Sequence, residues 1–113
     1  MTPAQLEKAA LALPGAEVSI KWGADRCYTV GGKMFAATDP SGGHFSMKMT
    51  DIAYEALTQT GRAQPAPYAA RFKWVMFENL SALDEAEVKA WLKTAHGLVA
   101  EKLTRKQRAE LGL

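Results

Sequence analysis

Arg26-Cys27-Tyr28-Thr29-Val30-Gly31-Gly32-Lys33-Met34-Phe35-Ala36-Ala37-Thr38 is the stretch whose reading decides the fold. Two runs rich in β-branched and aromatic residues flank a glycine pair, and two adjacent glycines accept positive φ without steric cost. The stretch therefore reads as a β-hairpin with a two-residue loop. Upstream, Val18–Trp22 alternates apolar and polar side chains, the period of a half-buried strand, and Gly23-Ala24-Asp25 turns it into Arg26. Downstream, Asp39-Pro40-Ser41-Gly42-Gly43 is a loop of turn formers, and His44–Met49 alternates again.

Directly opposed residues of an antiparallel pair share a face. With the tight Gly31-Gly32 turn, Val30 is expected opposite Lys33, Tyr28 opposite Phe35 and Cys27 opposite Ala36. With the five-residue loop, Ala37 is expected opposite Phe45, Phe35 opposite Met47 and Met34 opposite Lys48. One face then collects Val18, Ile20, Trp22, Tyr28, Val30, Phe35, Ala37, Phe45, Met47 and Met49, and this is the expected core face. The other collects Ser19, Lys21, Cys27, Thr29, Met34, Ala36, Ser46 and Lys48, with Thr38 and His44 at its edge, and no carboxylate. A one-residue slip in any turn exchanges the faces.

Helices flank this sheet. Thr2, Pro3 and Gln5 form a capping box with proline at the first helical position; Leu6, Ala9, Ala10 and Leu13 recur at helical spacing, and Pro14-Gly15 ends the run. Thr50 or Asp51 starts a second helix to about Gln59, with Ile52, Leu57 and Tyr54 expected inward and Gly61 at its C-terminal end. Arg62–Ala70, with Pro65 and Pro67, reads as an extended loop, and Arg71–Phe77 as a fifth strand. Asp84 and Glu87 cap a long amphipathic helix to about Leu103, carrying Val88, Trp91, Leu92, Ala95, Leu98 and Val99. Thr104 and Gln107 cap a last turn in a basic tail. The expected fold is α+β: an antiparallel sheet of about five strands with N- and C-terminal helices packed on one face, in a single domain spanning residues 1–113.

The composition of the 113-residue chain is that of a globular domain, with 48% apolar and 23% charged residues. A single cysteine excludes an internal disulfide and a cysteine-cluster metal site. No apolar run approaches the ~20 residues of a membrane span. The first residues lack the continuous apolar core of an export signal, so a cytoplasmic protein without membrane partners is expected.

Catalytic signatures are missing: the chain holds no GxSxG, P-loop, GxGxxG or HExxH. His44 and His96 have no spaced partners; His44 is expected at the surface and His96 as a packing or solvent-facing residue. Cys27 reads either as a small residue filling a strand or as a thiol activated by Lys21 across the strand. No cofactor, no metal and no enzymatic activity are expected.

The basic residues are more informative. The net charge is only +2, yet the segment from Lys21 to Trp74 holds seven basic and four acidic residues, while Asp84, Glu85, Glu87 and Glu101 gather around the last long helix. Lys21, Arg26, Lys33, Lys48, Arg71 and Lys73 are the candidate phosphate contacts, and Trp74, with Phe72, can stack on bases. The plainer alternative is that these lysines solubilise an open sheet face.

Leu13-Pro14-Gly15-Ala16-Glu17 and Val30-Gly31-Gly32-Lys33-Met34-Phe35-Ala36 resemble the MmcQ/YjbR-like family of small bacterial proteins. So do the Pro-containing loop ending in Tyr68 and Lys73-Trp74-Val75 before the long helix; the likeness runs from about Leu6 to Leu103. It implies a CyaY-like α+β fold and a DNA-binding role, with β wings against the nucleic acid; nothing in the chain resembles a recognition helix, so low sequence specificity is expected. Many relatives carry histidine before the tryptophan; Lys73 stands there, so no histidine role carries over, although the positive charge is kept. The related frataxin-type fold suggests iron handling, but only Glu7 and Glu17 fall in the corresponding region, too few oxygens for a hard cation. Three readings follow: a DNA-binding module, acting as monomer or weak dimer; a module receiving a protein, a peptide or a small anionic ligand; and an enzyme, which the missing signatures disfavour.

Overall fold

The computed structural model describes every residue except Trp22 and Tyr68, so the core position expected for Trp22 and the resemblance at Tyr68 lie outside the described residues. The chain runs α1 (Pro3–Leu11), β1 (Ala16–Lys21), β2 (Asp25–Val30), β3 (Lys33–Thr38), β4 (Phe45–Lys48), α2 (Asp51–Gln59), β5 (Gln64–Pro65), β6 (Trp74–Phe77), α3 (Glu85–Ala100) and α4 (Arg105–Glu110), with short 3-10 turns at Ala70–Phe72 and Leu80–Ala82. The sheet is antiparallel, in the order β1-β2-β3-β4-β6-β5. The α+β class is as expected; the extra strand is β5, two residues inside the expected loop.

Local chemistry sets the helix ends. The Gln5 amide donates to Thr2 Oγ1 at 3.1 Å and the Thr2 amide to Gln5 Oε1 at 2.9 Å, closing the capping box of α1. Thr50, Asp84 and Thr104 cap α2, α3 and α4 with their side chains. One buried cluster joins Leu6 and Ala10 of α1 and Val88, Leu92, Ala95 and Val99 of α3 to Tyr28, Val30, Phe35, Ala36, Phe45, Met47, Val75 and Phe77 of the sheet. Trp91 stacks on Phe77 at 5.1 Å between centroids. His96 is buried: its Nε2–H donates to the Pro14 carbonyl at 2.7 Å, and its ring meets Phe35 edge-on at 5.5 Å, so it is a packing residue.

The strand register corrects the expected faces. Val30 does oppose Lys33, but a β-bulge then intervenes: Thr29 opposes Met34, and Tyr28 opposes Ala36, not Phe35. The extra residue lets Phe35 and Ala36 both enter the helical layer. Beyond it every side chain of β3 changes face. Ala36 opposes Met47, Ala37 opposes Ser46 and Thr38 opposes Phe45. Ala36 and Thr38, expected on the open face, are therefore buried beneath the helices, and Ala37, expected in the core, lies with Cys27 and Ser46. The Thr38 hydroxyl is satisfied by donating to the His44 carbonyl at 2.8 Å.

Other expectations change for equally local reasons. Val18 and Ile20 share the face of Tyr28 but remain 36% and 57% exposed, because β1 is the edge strand. Ile52 is 84% exposed; Ala53, Tyr54 and Leu57 form the inward stripe of α2, and a residue five positions before Leu57 points elsewhere. The fifth expected strand starts at Trp74, since Ala70–Phe72 coils and Lys73 takes a left-handed conformation at φ 64°. Helix α3 ends at Ala100, and Leu103 is buried just past it.

The hairpin loop is held from outside. Gly31 and Gly32 have φ of 58° and 79°, and a Cβ on Gly31 would lie 2.7 Å from both Leu103 methyls, whereas one on Gly32 meets nothing. Gly32→Ala is expected to cost about 1 kcal/mol from backbone strain alone, and Gly31→Ala measurably more because buried Leu103 must also move; urea unfolding of the two variants checks the order.

Tyr28 is fully buried, and its hydroxyl has no hydrogen-bond partner among the described residues. Burial, reinforced by Glu7 and opposed by Arg26, pushes its pKa up to about 12. The folded state thus favours the neutral phenol. That contribution is complete below the unfolded value near ~10 and is lost as pH rises toward about 12. Tyr28→Phe should flatten the stability loss in that window and raise neutral-pH stability by up to about 1 kcal/mol, read by chemical denaturation at both pH values.

Candidate functional site

The bulge and the left-handed turn at Lys73 shape the face of the sheet turned away from α1 and α3. Asp25, Cys27, Ala37, Ser46, Lys48, Trp74 and Met76 belong to it by register. Over it stands a segment that includes Ala66, Pro67, Ala69 and the 3-10 turn Ala70–Phe72, anchored where the Ala66 amide donates to the Trp74 carbonyl at 3.0 Å and the Lys73 amide to the Ala70 carbonyl at 2.9 Å. Between sheet and segment lies a groove of about 440 Å³, lined by Asp25, Met34, Ala37, Ser46, Ala66, Pro67, Ala69, Phe72 and Trp74. The face was expected to hold no carboxylate; Asp25 is on it because β2 starts one residue earlier than the turn reading implied.

A smaller hollow of about 160 Å³ adjoins the groove through Met34, Phe72 and Trp74. Lys33, Lys48 and Lys102 line it with Val99, and none of its lining residues is acidic. Lys48 Nζ donates to the Phe72 carbonyl at 2.8 Å, tying β4 to the 3-10 turn. Burial, then the charge of Lys102, depress the Lys48 pKa, with Asp51 opposing. Two ammonium groups therefore act on each other here, and an anion seated between them relieves that repulsion. Phe72 is 53% exposed, and the Arg71 guanidinium lies 4.7 Å from its ring centroid. The hollow thus joins charge donors to an open aromatic face.

Of the candidate contacts, Lys33, Lys48 and Trp74 come together, and Arg71 stands beside them on Phe72. Three do not join. Lys73 Nζ lies 4.9 Å over the Tyr54 ring on α2, Arg26 is paired with Glu7 of α1 at 2.7 Å, and Lys21 is opposite Asp25 on the far edge strand. Lys102 is the lining lysine that reading along strands misses. The packing of Leu103 on Gly31 brings its neighbour Lys102 to Lys33, and only the glycine pair hints at so close an approach.

The remaining candidates resolve plainly. Cys27 is fully buried and opposes Ser19, not Lys21. Burial raises its thiol pKa, Lys21 lowers it in part and Asp25 adds to the rise, so the thiol stays protonated at neutral pH. Glu87 is held by Arg62 at 2.7 Å and Glu85 by Lys89 at 3.0 Å, so the start of α3 is not an uncompensated acidic patch. Among the described residues, no three His, Cys, Asp or Glu side chains group to hold a metal ion. No described helix is long and apolar enough to cross a membrane.

Comparison with known proteins agrees with this architecture. The crystal structure of Deinococcus radiodurans protein DR2400, a DUF419 domain, superposes with a TM-score of 0.83 at 23% identity, covering 99% of this chain and 88% of that one; at this identity the likeness is one of fold. No match is found among curated proteins. The YjbR family model matches residues 11–98, and with most of its length so covered the chain belongs to the YjbR family.

Proposed function

We propose that the chain is a non-catalytic DNA-binding protein of low sequence specificity that holds phosphates at Lys33, Lys48 and Lys102 and stacks an unpaired base on Phe72. The observation that carries the reading is the convergence of three lysines, with no acidic neighbour in the lining, on a hollow walled by Phe72 and Trp74. Lysines supply the sequence-independent phosphate term, and an exposed aromatic accepts any base. Arg71 extends the cationic rim. The hairpin carrying Lys33 is the wing that the family resemblance leads one to expect. A cytoplasmic location belongs to the same proposal.

A second reading, a small anionic ligand, is favoured by the groove of about 440 Å³ beside the lysines, a size suited to small molecules. The two separate by probe: a nucleoside monophosphate should match a long oligonucleotide in affinity if the groove takes a small ligand, and fall far below it if phosphates along a strand are read.

Fluorescence anisotropy with a labelled single-stranded oligonucleotide tests the proposal. Three phosphate contacts give a slope near −2 in log–log form, so raising salt fourfold should weaken binding about twentyfold. Lys33→Glu and Lys48→Glu should each weaken it further, Phe72→Ala by about 5- to 100-fold, and Lys93→Glu on α3 should leave it unchanged. Binding only at millimolar concentrations in low salt, or binding indifferent to Lys33→Glu and Lys48→Glu, overturns it.

A further inference from the structure

The two edges of the sheet are treated differently. The β5 edge is two residues long and carries Pro65, which has no amide hydrogen to offer another strand. The β1 edge is six residues long, without proline or bulge, and no described strand pairs with its outer side. On it Val18 and Ile20 are 36% and 57% exposed, on the same face. Glu17 and Lys21 are exposed on the other face, and neither forms an ion pair among the described residues.

The order of these residues is self-complementary. In an antiparallel pairing of β1 with a second β1 about a two-fold axis at Ser19, Ser19 meets Ser19, Val18 meets Ile20, and Glu17 meets Lys21. Both apolar residues then cover each other on one face, and two Glu–Lys pairs close on the other. The arrangement is isologous, as a two-fold dimer requires. A slip by one residue sets Val18 against Lys21 and loses both matches. We propose that the β1 edge is a dimerisation surface, and that two copies of this chain join their sheets through it in the Ser19-centred register. This goes beyond the DNA-binding reading and does not depend on it, since the residues involved are different.

Sedimentation velocity of the full chain over a wide concentration range tests the proposal. The natural chain should show a concentration-dependent monomer–dimer equilibrium. Ile20→Lys, which puts a lysine on each side of the seam, should weaken it by about tenfold or more. Glu17→Lys should weaken it by setting lysine against Lys21 of the second copy, and Glu17→Lys with Lys21→Glu should recover it.

Covalent capture reads the register directly. Ser19→Cys is made together with Cys27→Ala, because Cys27 opposes Ser19 within the chain and would capture the new thiol. Mild oxidation should then link two copies through position 19. Glu17→Cys in the same background should not link, since its twin lies about 13 Å away along the strands, beyond disulfide reach. A chain that stays monomeric at every concentration and does not cross-link at position 19 overturns the proposal. So does a dimer untouched by Ile20→Lys, which uses another surface, or capture at position 17 in place of 19, which means another register. An edge that binds only added extended peptides and never a second copy counts against it equally.

Discussion

The extra residue in β3 is the constraint on which the open face depends. Phe35 is needed in the helical layer, where its ring meets His96 and so bears on the α1–β1 connection through the Pro14 carbonyl. Ala36 is needed there too, because Met47 opposes it on β4 and a larger residue would compete for the same space. Two consecutive side chains on one side are impossible in a regular strand, and the bulge is the local cost of having both. From there the register of β3 and β4 is set. Ala37 and Ser46 make a floor of small side chains, and Met34 lies toward Phe72 and Trp74. The groove is thus a by-product of core packing.

This explains which parts of the chain could be read without coordinates. Caps and turn residues act over three or four positions, so Thr2 with Gln5, Thr104 with Gln107 and the Gly31-Gly32 hairpin announce themselves locally. The order of helices and strands follows from them. Faces were readable on β2 and β4, where Tyr28, Phe45 and Met47 lie inward and Cys27, Ser46 and Lys48 lie on the other face as expected, while Ala36, Ala37 and Thr38, just past the bulge on β3, are reversed. A bulge carries no turn former to mark it; it results from competition between Phe35 and Ala36 for a core that exists only once α3 is docked.

The candidate site divides along the same line. Lys33, Lys48 and Trp74 were recognisable because adjacent strands bring them close. Arg26 looked equivalent in composition, but its guanidinium turns to the helix side and meets Glu7, a contact set by how α1 crosses the sheet. Lys102 belongs to a helix end remote in sequence and enters through the Leu103–Gly31 contact. Charge counting points to this region, while membership of the cluster depends on which face each strand position takes.

That contact between Leu103 and Gly31 also has a temporal side. The hairpin is built from neighbouring residues and can form its own hydrogen bonds as soon as they are joined, but the surface that packs against its turn comes much later in the chain, after α3. Contacts of such sequence separation form late because loop closure must precede them. During synthesis the hairpin therefore waits with its turn uncovered and the lysine cluster incomplete. The basic hollow comes into being only when the residues after α3 fold back onto the hairpin, so the lysine cluster and the docking of α3 arise together.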